Sequence, residues 1–354
     1  MSRNDVDRIA DAVLYEGYIL YPYRPSVKNR QRWTFGGLYP EDSCRERGDG
    51  SAAANQTECL VRGTAATTFD ARVRFLHLTE RRVGELVPPL AAWPDDAEPT
   101  LRPVPMLRVG DNVFHEWQEA EEREVTLGEV SLGVLSSGPI RRGFTFPGRR
   151  SLDPLRDPAG AVVGALVREQ EAVEGVVEAE AIEVGAGLFR VTLRVANRTA
   201  MDGPLRGDRD AATLRLLASS HAILTARDGE FVSLLDPPDG DREAAASCRN
   251  VGTWPVLVGA EGRADAVLSS PIILYDFPQI APESPGDFFD GTEIDEMLTL
   301  RIMTLTDEEK GAMAAVDRRA RALLARTEAT ANDQMLGLHG TLRELRPSPG
   351  GHTP

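Results

Sequence analysis

The chain has 354 residues, of which 42% are hydrophobic and 27% charged, the mix of an ordinary globular protein rather than a disordered or fibrous one. With 40 basic against 55 acidic side chains the formal charge is −15, which repels phosphate backbones and anionic membrane surfaces and argues against a general nucleic-acid binder. Cys44, Cys59 and Cys248 are too few and too scattered for a secreted disulfide framework, no run approaches a transmembrane length, and the start (MSRNDVDRI) lacks the apolar stretch of a signal peptide, so a cytoplasmic location is expected.

Val6, Ile9, Val13 and Leu14 recur at three- and four-residue spacing and predict a short amphipathic helix over about residues 4–16, stopped near Gly17. Residues 18–40 mix aromatic rings with Pro22, Pro25 and the Gly36-Gly37 pair, as extended segments and tight turns do. Residues 41–57 are polar and small and read as a mobile loop. Strand-like segments follow at 72–78, 105–109, 125–135, 140–146 and 161–168. Two alternating runs, 176–184 and 188–195, flank Gly185-Ala186-Gly187 and predict a hairpin with one solvated face. A second hairpin is expected where 222–225 and 230–235 flank Arg227-Asp228-Gly229.

Near the end, Thr306-Asp307-Glu308-Glu309 has the capping-box pattern and opens a long helix with Met313, Val316, Ala320, Leu323 and Leu324 on one stripe. Beyond about residue 331 the pattern fades into a flexible tail. The fold expected is therefore α+β, mostly antiparallel and sandwich-like, with a short N-terminal helix and a long C-terminal one. Chain length favours two lobes, 1–160 and 161–330.

Two cationic islands interrupt the acidic average. Arg24, Lys28, Arg30 and Arg32 sit among Tyr21, Tyr23 and Trp33 with no carboxylate nearby, and Arg141, Arg142, Arg149 and Arg150 surround Phe144 and Phe146. Rings with arginine anchor protein interfaces, stack on single-stranded nucleic acid, or serve as core rings beside internal ion pairs. Residues 283–296 (ESPGDFFDGTEIDE) are opposite in sign and offer Asp287, Asp290 and Glu293 to a hard cation or to a basic surface, although the order of a calcium loop is absent.

Other signals are weaker. His115-Glu116-Trp117-Gln118-Glu119 has Glu119 where a zinc-protease helix needs its second histidine, and its surroundings read as a charged edge strand. The cysteines lack close spacing for a thiolate site, and Cys44, placed in the expected loop, is the most exposed to chemistry. His221 follows Ser219-Ser220 without a nucleophile elbow or an orienting acid and reads as a packed histidine. No dinucleotide or Walker glycine pattern is present, so a nucleotide cofactor is unsupported, and the identity of any other cofactor stays unknown.

The stretches 14–40 (LYEGYILYPYRPSVKNRQRWTFGGLYP) and 269–310 (SSPIILYDFPQIAPESPGDFFDGTEIDEMLTLRIMTLTDEEK) resemble an uncharacterised accessory protein family encoded in actinobacterial-type nickel–iron hydrogenase gene clusters. The resemblance implies a role in assembly, maturation or electron-transfer organisation beside a hydrogenase subunit or maturation factor, and brings no catalytic residues with it. It directs attention to Tyr21, Tyr23, Arg24, Lys28, Arg30, Arg32 and Trp33, and to Asp287, Asp290 and Glu293, as docking surfaces of a non-catalytic protein. A metal-dependent enzyme or metal carrier using the acidic loop or the cysteines, and a single-stranded nucleic-acid binder, are the competing readings. Oligomeric state stays open.

Overall fold

The structure, a computed structural model, describes residues 3–19, 36–94, 96–260 and 262–279. In chain order the elements are α1 (Arg3–Ile19), α2 (Glu41–Arg47), β1 (Ala54–Arg62), β2 (Thr68–Leu90), β3 (Arg102–Val104), β4 (Met106–Val109), β5 (Asn112–His115), β6 (Trp117–Thr126), β7 (Val130–Ser131), α3 (Leu132–Ser137), β8 (Ile140–Phe146) and β9 (Arg149–Arg156). They continue with β10 (Val162–Gln170), β11 (Val173–Gly185), β12 (Leu188–Asn197), α4 (Arg209–Thr213), β13 (Leu217–Arg227), β14 (Glu230–Val232), α5 (Arg242–Ala246), β15 (Trp254–Leu257) and β16 (Ala266–Ser270). The architecture is mostly antiparallel β with an N-terminal helix. The long helix expected after residue 306 and the tail beyond 331 lie outside the described residues.

One sheet runs β14-β1-β12-β11-β8. The other runs β15-β16-β13-β2, and the 23-residue β2 carries β13 and then β10 and β9 along one edge, with β7, β6 and β3 along the other. The two sheets pack face to face because alternate residues point the same way: Phe69, Ala71, Val73 and Phe75 of β2 meet Val177 and Ala179 of β11, Val191 and Leu193 of β12, and Cys59 and Val61 of β1 in one buried cluster. Two residues separate β8 from β9 and two separate β10 from β11, while β8 pairs with β11 and β9 with β10. This is one long ribbon passing from sheet to sheet. Residue 160, where chain length suggests a lobe boundary, lies in the turn between β9 and β10 that closes it.

The outer faces are covered by helices. Ile9, Ala10 and Val13 of α1 pack on Ile223, Val256 and Leu268, and Asp7 and Asp11 each meet an arginine of β2, Arg72 and Arg74, at 2.5 Å. Ala245 of α5 covers Leu60, Leu188 and Val232 of the other sheet. Beyond the sandwich, the far half of β2 and β10 form an extension on which the β4–β5 hairpin packs through Val83, Val109, Leu155 and Leu166.

Three local expectations are corrected. Residues 41–57 are not a loop: α2 forms over Glu41–Arg47, with Ser43 buried, an Arg45–Glu41 pair one turn apart, and Gly48 closing it at φ 56, and β1 has begun by Ala54. Residues 125–135 are not one strand, because Ser131 accepts the Val134 N–H as a helix cap and Leu132 and Leu135 turn inward together on α3. The turn at Asp228-Gly229 is real, yet β14 crosses to pair with β1 instead of returning along β13.

Candidate interaction surface

Tyr21, Tyr23, Arg24, Lys28, Arg30, Arg32, Trp33, Asp287, Asp290 and Glu293 all lie outside the described residues. The second cationic island is described, and its arginines are mostly consumed internally. Arg141 pairs with Glu178, Arg149 with Glu121, and Arg150 with Glu98 at 2.5 Å and Glu169 at 3.0 Å. Arg142 is exposed and, among the described residues, has no ion pair. Phe144 packs tilted and Phe146 edge-on against Phe75, with centroids 5.7 and 5.8 Å apart, and the Arg123 guanidinium lies 4.7 Å from the Phe146 ring centre. Rings and cations here form a packing unit.

Burial shifts the titration of the described candidate histidines and cysteines. His77, fully buried at the corner where β10 becomes β11, donates from Nε2 to the Glu171 carbonyl at 2.7 Å and accepts at Nδ1 from Arg123 Nε at 3.4 Å. Burial pushes its pKa down to about 4 against the Glu171 hydrogen bond, and the Arg123 charge adds to the fall. His221 is also buried, donates from Nδ1 to its neighbour Ser219's carbonyl at 3.0 Å, and is pushed to about 4 by the same cause. Its Nε2 and the Ser220 hydroxyl make no hydrogen bond to one another, so no serine–histidine pair exists.

Cys44 is corrected from loop thiol to half-buried helix residue. Burial raises its pKa, raises that of Cys248 to about 11 and raises that of the sealed Cys59 further, the reverse of an activated thiolate. His115 ends β5 and Glu119 lies in β6, so the zinc-helix spacing falls on strands. Among the described residues no group of three His, Cys, Asp or Glu side chains could hold a metal ion, and no helix is long and apolar enough to cross a membrane.

The described parts of the two resemblance-bearing stretches meet. Gly36 lies against Pro271 so closely that a Cβ there would fall 2.3 Å from the proline Cβ, its φ is +60°, and its carbonyl accepts the Ser220 N–H at 3.2 Å. Leu38 pairs with Leu217 alongside. Immediately past this seam Ile273 is 70% and Tyr275 86% exposed, and Trp254, paired with Ser270 across β15–β16, is 44% exposed. The backbone next to Tyr275 is pinned. Leu257 donates to Asp276 Oδ1 at 2.7 Å and accepts from Phe277 N at 2.7 Å, and Ser233 donates to Asp276 Oδ2 at 2.5 Å. That strap covers the outer edge of β15 at Leu257, and Pro255 of the same strand lacks an N–H. Sequence reading passed over Trp254, Ile273 and Tyr275, although Tyr275 is the one tyrosine outside residues 15–39.

No protein-family model matches this chain, and no curated protein matches it.

Proposed function

We propose that this is a non-catalytic accessory protein of the cytoplasm that works by holding another protein, and that the protein held is a subunit or maturation factor of a nickel–iron hydrogenase. The observation that carries the binding role is the exposure of three large apolar side chains, Trp254, Ile273 and Tyr275, the last next to a backbone pinned at Asp276 and Phe277. Aromatic and β-branched side chains on a fixed scaffold lose little entropy on docking, which is why such residues dominate interface energetics. Neutral buried histidines and raised thiol pKa values support binding over nucleophilic chemistry. The choice of partner rests on the resemblance of residues 14–40 and 269–310 alone.

The test is co-purification of the tagged full chain with recombinant hydrogenase subunits and their maturation factors. Ile273→Asp with Tyr275→Ser, and separately Arg30→Glu with Arg32→Glu, are expected to cut recovery of the partner at least about tenfold while leaving the melting temperature within about 2 °C. Undiminished recovery with both double variants overturns the docking surfaces. Absence of any hydrogenase component from the wild-type eluate overturns the choice of partner.

A further inference from the structure

Three strands at the margins of the sheets are blunted. At β15 the Leu257 N–H bonds Asp276 and its carbonyl accepts from Phe277; at β14 the Phe231 N–H bonds the Ala264 carbonyl; β9 carries Pro154 and an Arg150 held by Glu98. β8 has none of these devices. It ends the five-stranded sheet, pairs with β11 alone among the described strands, and holds neither a proline nor a carboxylate.

The ladder fixes which of its peptide groups point outward. Arg198 N–H bonds the Glu174 carbonyl, so even-numbered residues of β11 turn towards β12 and odd-numbered ones towards β8; Arg141, Gly143 and Thr145 of β8 therefore aim their N–H and C=O away from the sheet, and no described residue bonds them. The side chains divide as cleanly. Ile140, Arg142 and Phe146 lie opposite Ala179, Val177 and Val173, all three buried in the core, so with Phe144 they share the face turned to the second sheet. Arg141 is on the other face and is neutralised by Glu178. Arg142 is exposed and has no ion pair among the described residues, which leaves one free cation between the half-buried Ile140 and Phe144.

An added antiparallel strand would exchange hydrogen bonds with residues 141, 143 and 145, and its side chains opposite 140, 142 and 144 would come closest, with Cα atoms about 4.5 Å apart. Those three neighbours select an apolar residue, a carboxylate and an apolar residue in turn. A second copy of β8 fits poorly, because pairing it with itself about Gly143 sets both Arg142 side chains diagonally on one face with no carboxylate of β8 between them. The net charge of −15 repels acidic ligands in general, so a preference for one must come from this local cation.

We propose that β8 is a docking edge for an extended peptide of a partner protein, one with an acidic residue flanked at the second position on either side by apolar ones, which adds to the five-stranded sheet as a sixth strand. Fluorescence anisotropy of the full chain is expected to show a labelled heptapeptide TVTETVT binding at least about tenfold more tightly than TVTKTVT. Arg142→Glu should reverse that preference with an unchanged melting temperature. Gly143→Pro removes an outward N–H at a position where a Cβ would meet nothing within 4 Å, and it leaves the β11 ladder intact, so it should abolish binding of both peptides. If that variant fails to fold, slowed amide exchange at Arg141, Gly143 and Thr145 of the unmodified chain on adding TVTETVT takes its place. No binding at about 1 mM, equal affinity for the two peptides, a preference that Arg142→Glu leaves unchanged, or a dimer that hides these three amides without any peptide overturns the proposal. The choice of a hydrogenase partner is not at stake in this test, since the probes are synthetic and β8 is a separate surface from Trp254, Ile273 and Tyr275.

Discussion

The sandwich and the extension beyond it share β2 and are held by different forces. In the sandwich the strand's inward residues, Phe69 to Phe75, are sealed against a second sheet. In the extension the same strand carries Arg81 and Arg82 into a lattice of ion pairs: Arg81 with Glu119, Glu119 with Arg168, Arg168 with Asp153, and Glu169 with both Arg82 and Arg150. The extension's apolar packing among the described residues is smaller than that of the sandwich: the Val83–Leu166 cluster under the β4–β5 hairpin, with Leu86, Val162, Ala165 and Val167 of the same two strands also buried. Burial of apolar area is not screened by ionic strength and accumulates with depth, while exposed ion pairs give about 0.2–1 kcal/mol each and fade as salt rises. One continuous strand can thus belong to a cooperative core at one end and to a weaker, separately opening ribbon at the other.

The contrast can be broken most sharply in the core. Leu193→Ala removes a side chain that is 1% exposed between the sheets and should lower global stability by about 3–5 kcal/mol in denaturant titration. A loss below about 1 kcal/mol would mean that the sheets are not mutually dependent. Acid acts next, on the two buried histidines. Their folded pKa values, about 4, lie below the unfolded value near 6.5, so the unfolded chain binds more protons between them; stability is complete above the upper value and is lost as pH falls through this window. Calorimetry should show Tm falling by about 5 °C or more between neutrality and the lower value, and His77→Gln with His221→Gln should flatten that slope.

Within the extension, Glu119→Gln removes the carboxylate that Arg81, 5% exposed, shares with Arg168, and should cost about 1–3 kcal/mol. Its signature in hydrogen exchange is faster exchange over residues 80–90 and 162–170 with residues 188–197 unchanged. Uniform acceleration would merge the two regions into one cooperative unit. Raising salt alone should do the same more mildly, a few-fold faster exchange in the extension and none in the sandwich.

What the sequence revealed follows the range of the forces involved. The β11–β12 hairpin was legible because its apolar and charged residues alternate and its turn is glycine-rich, all within a few residues. β14 was misassigned because an Asp-Gly turn looks the same whether the chain returns along its neighbour or crosses to another sheet, and the partner, β1, is remote. The short α2 was missed because seven polar residues carry no periodic signal. At the site, the cluster of arginines at 141–150 was visible but its neutralising partners, Glu98, Glu121, Glu169 and Glu178, come from other strands. Trp254, Ile273 and Tyr275 resemble core residues in a linear reading, and only the fold decides that they face water.

The docking of α1 has a consequence for how the protein is made. Ile9 and Val13 are synthesised more than 200 positions before Ile223, Val256 and Leu268, which form the surface that receives them. At about 5–20 residues per second the helix waits tens of seconds with its apolar stripe unsheltered. A nascent-chain holdase is therefore expected to engage this N-terminal segment during translation, and release from it to coincide with completion of β16.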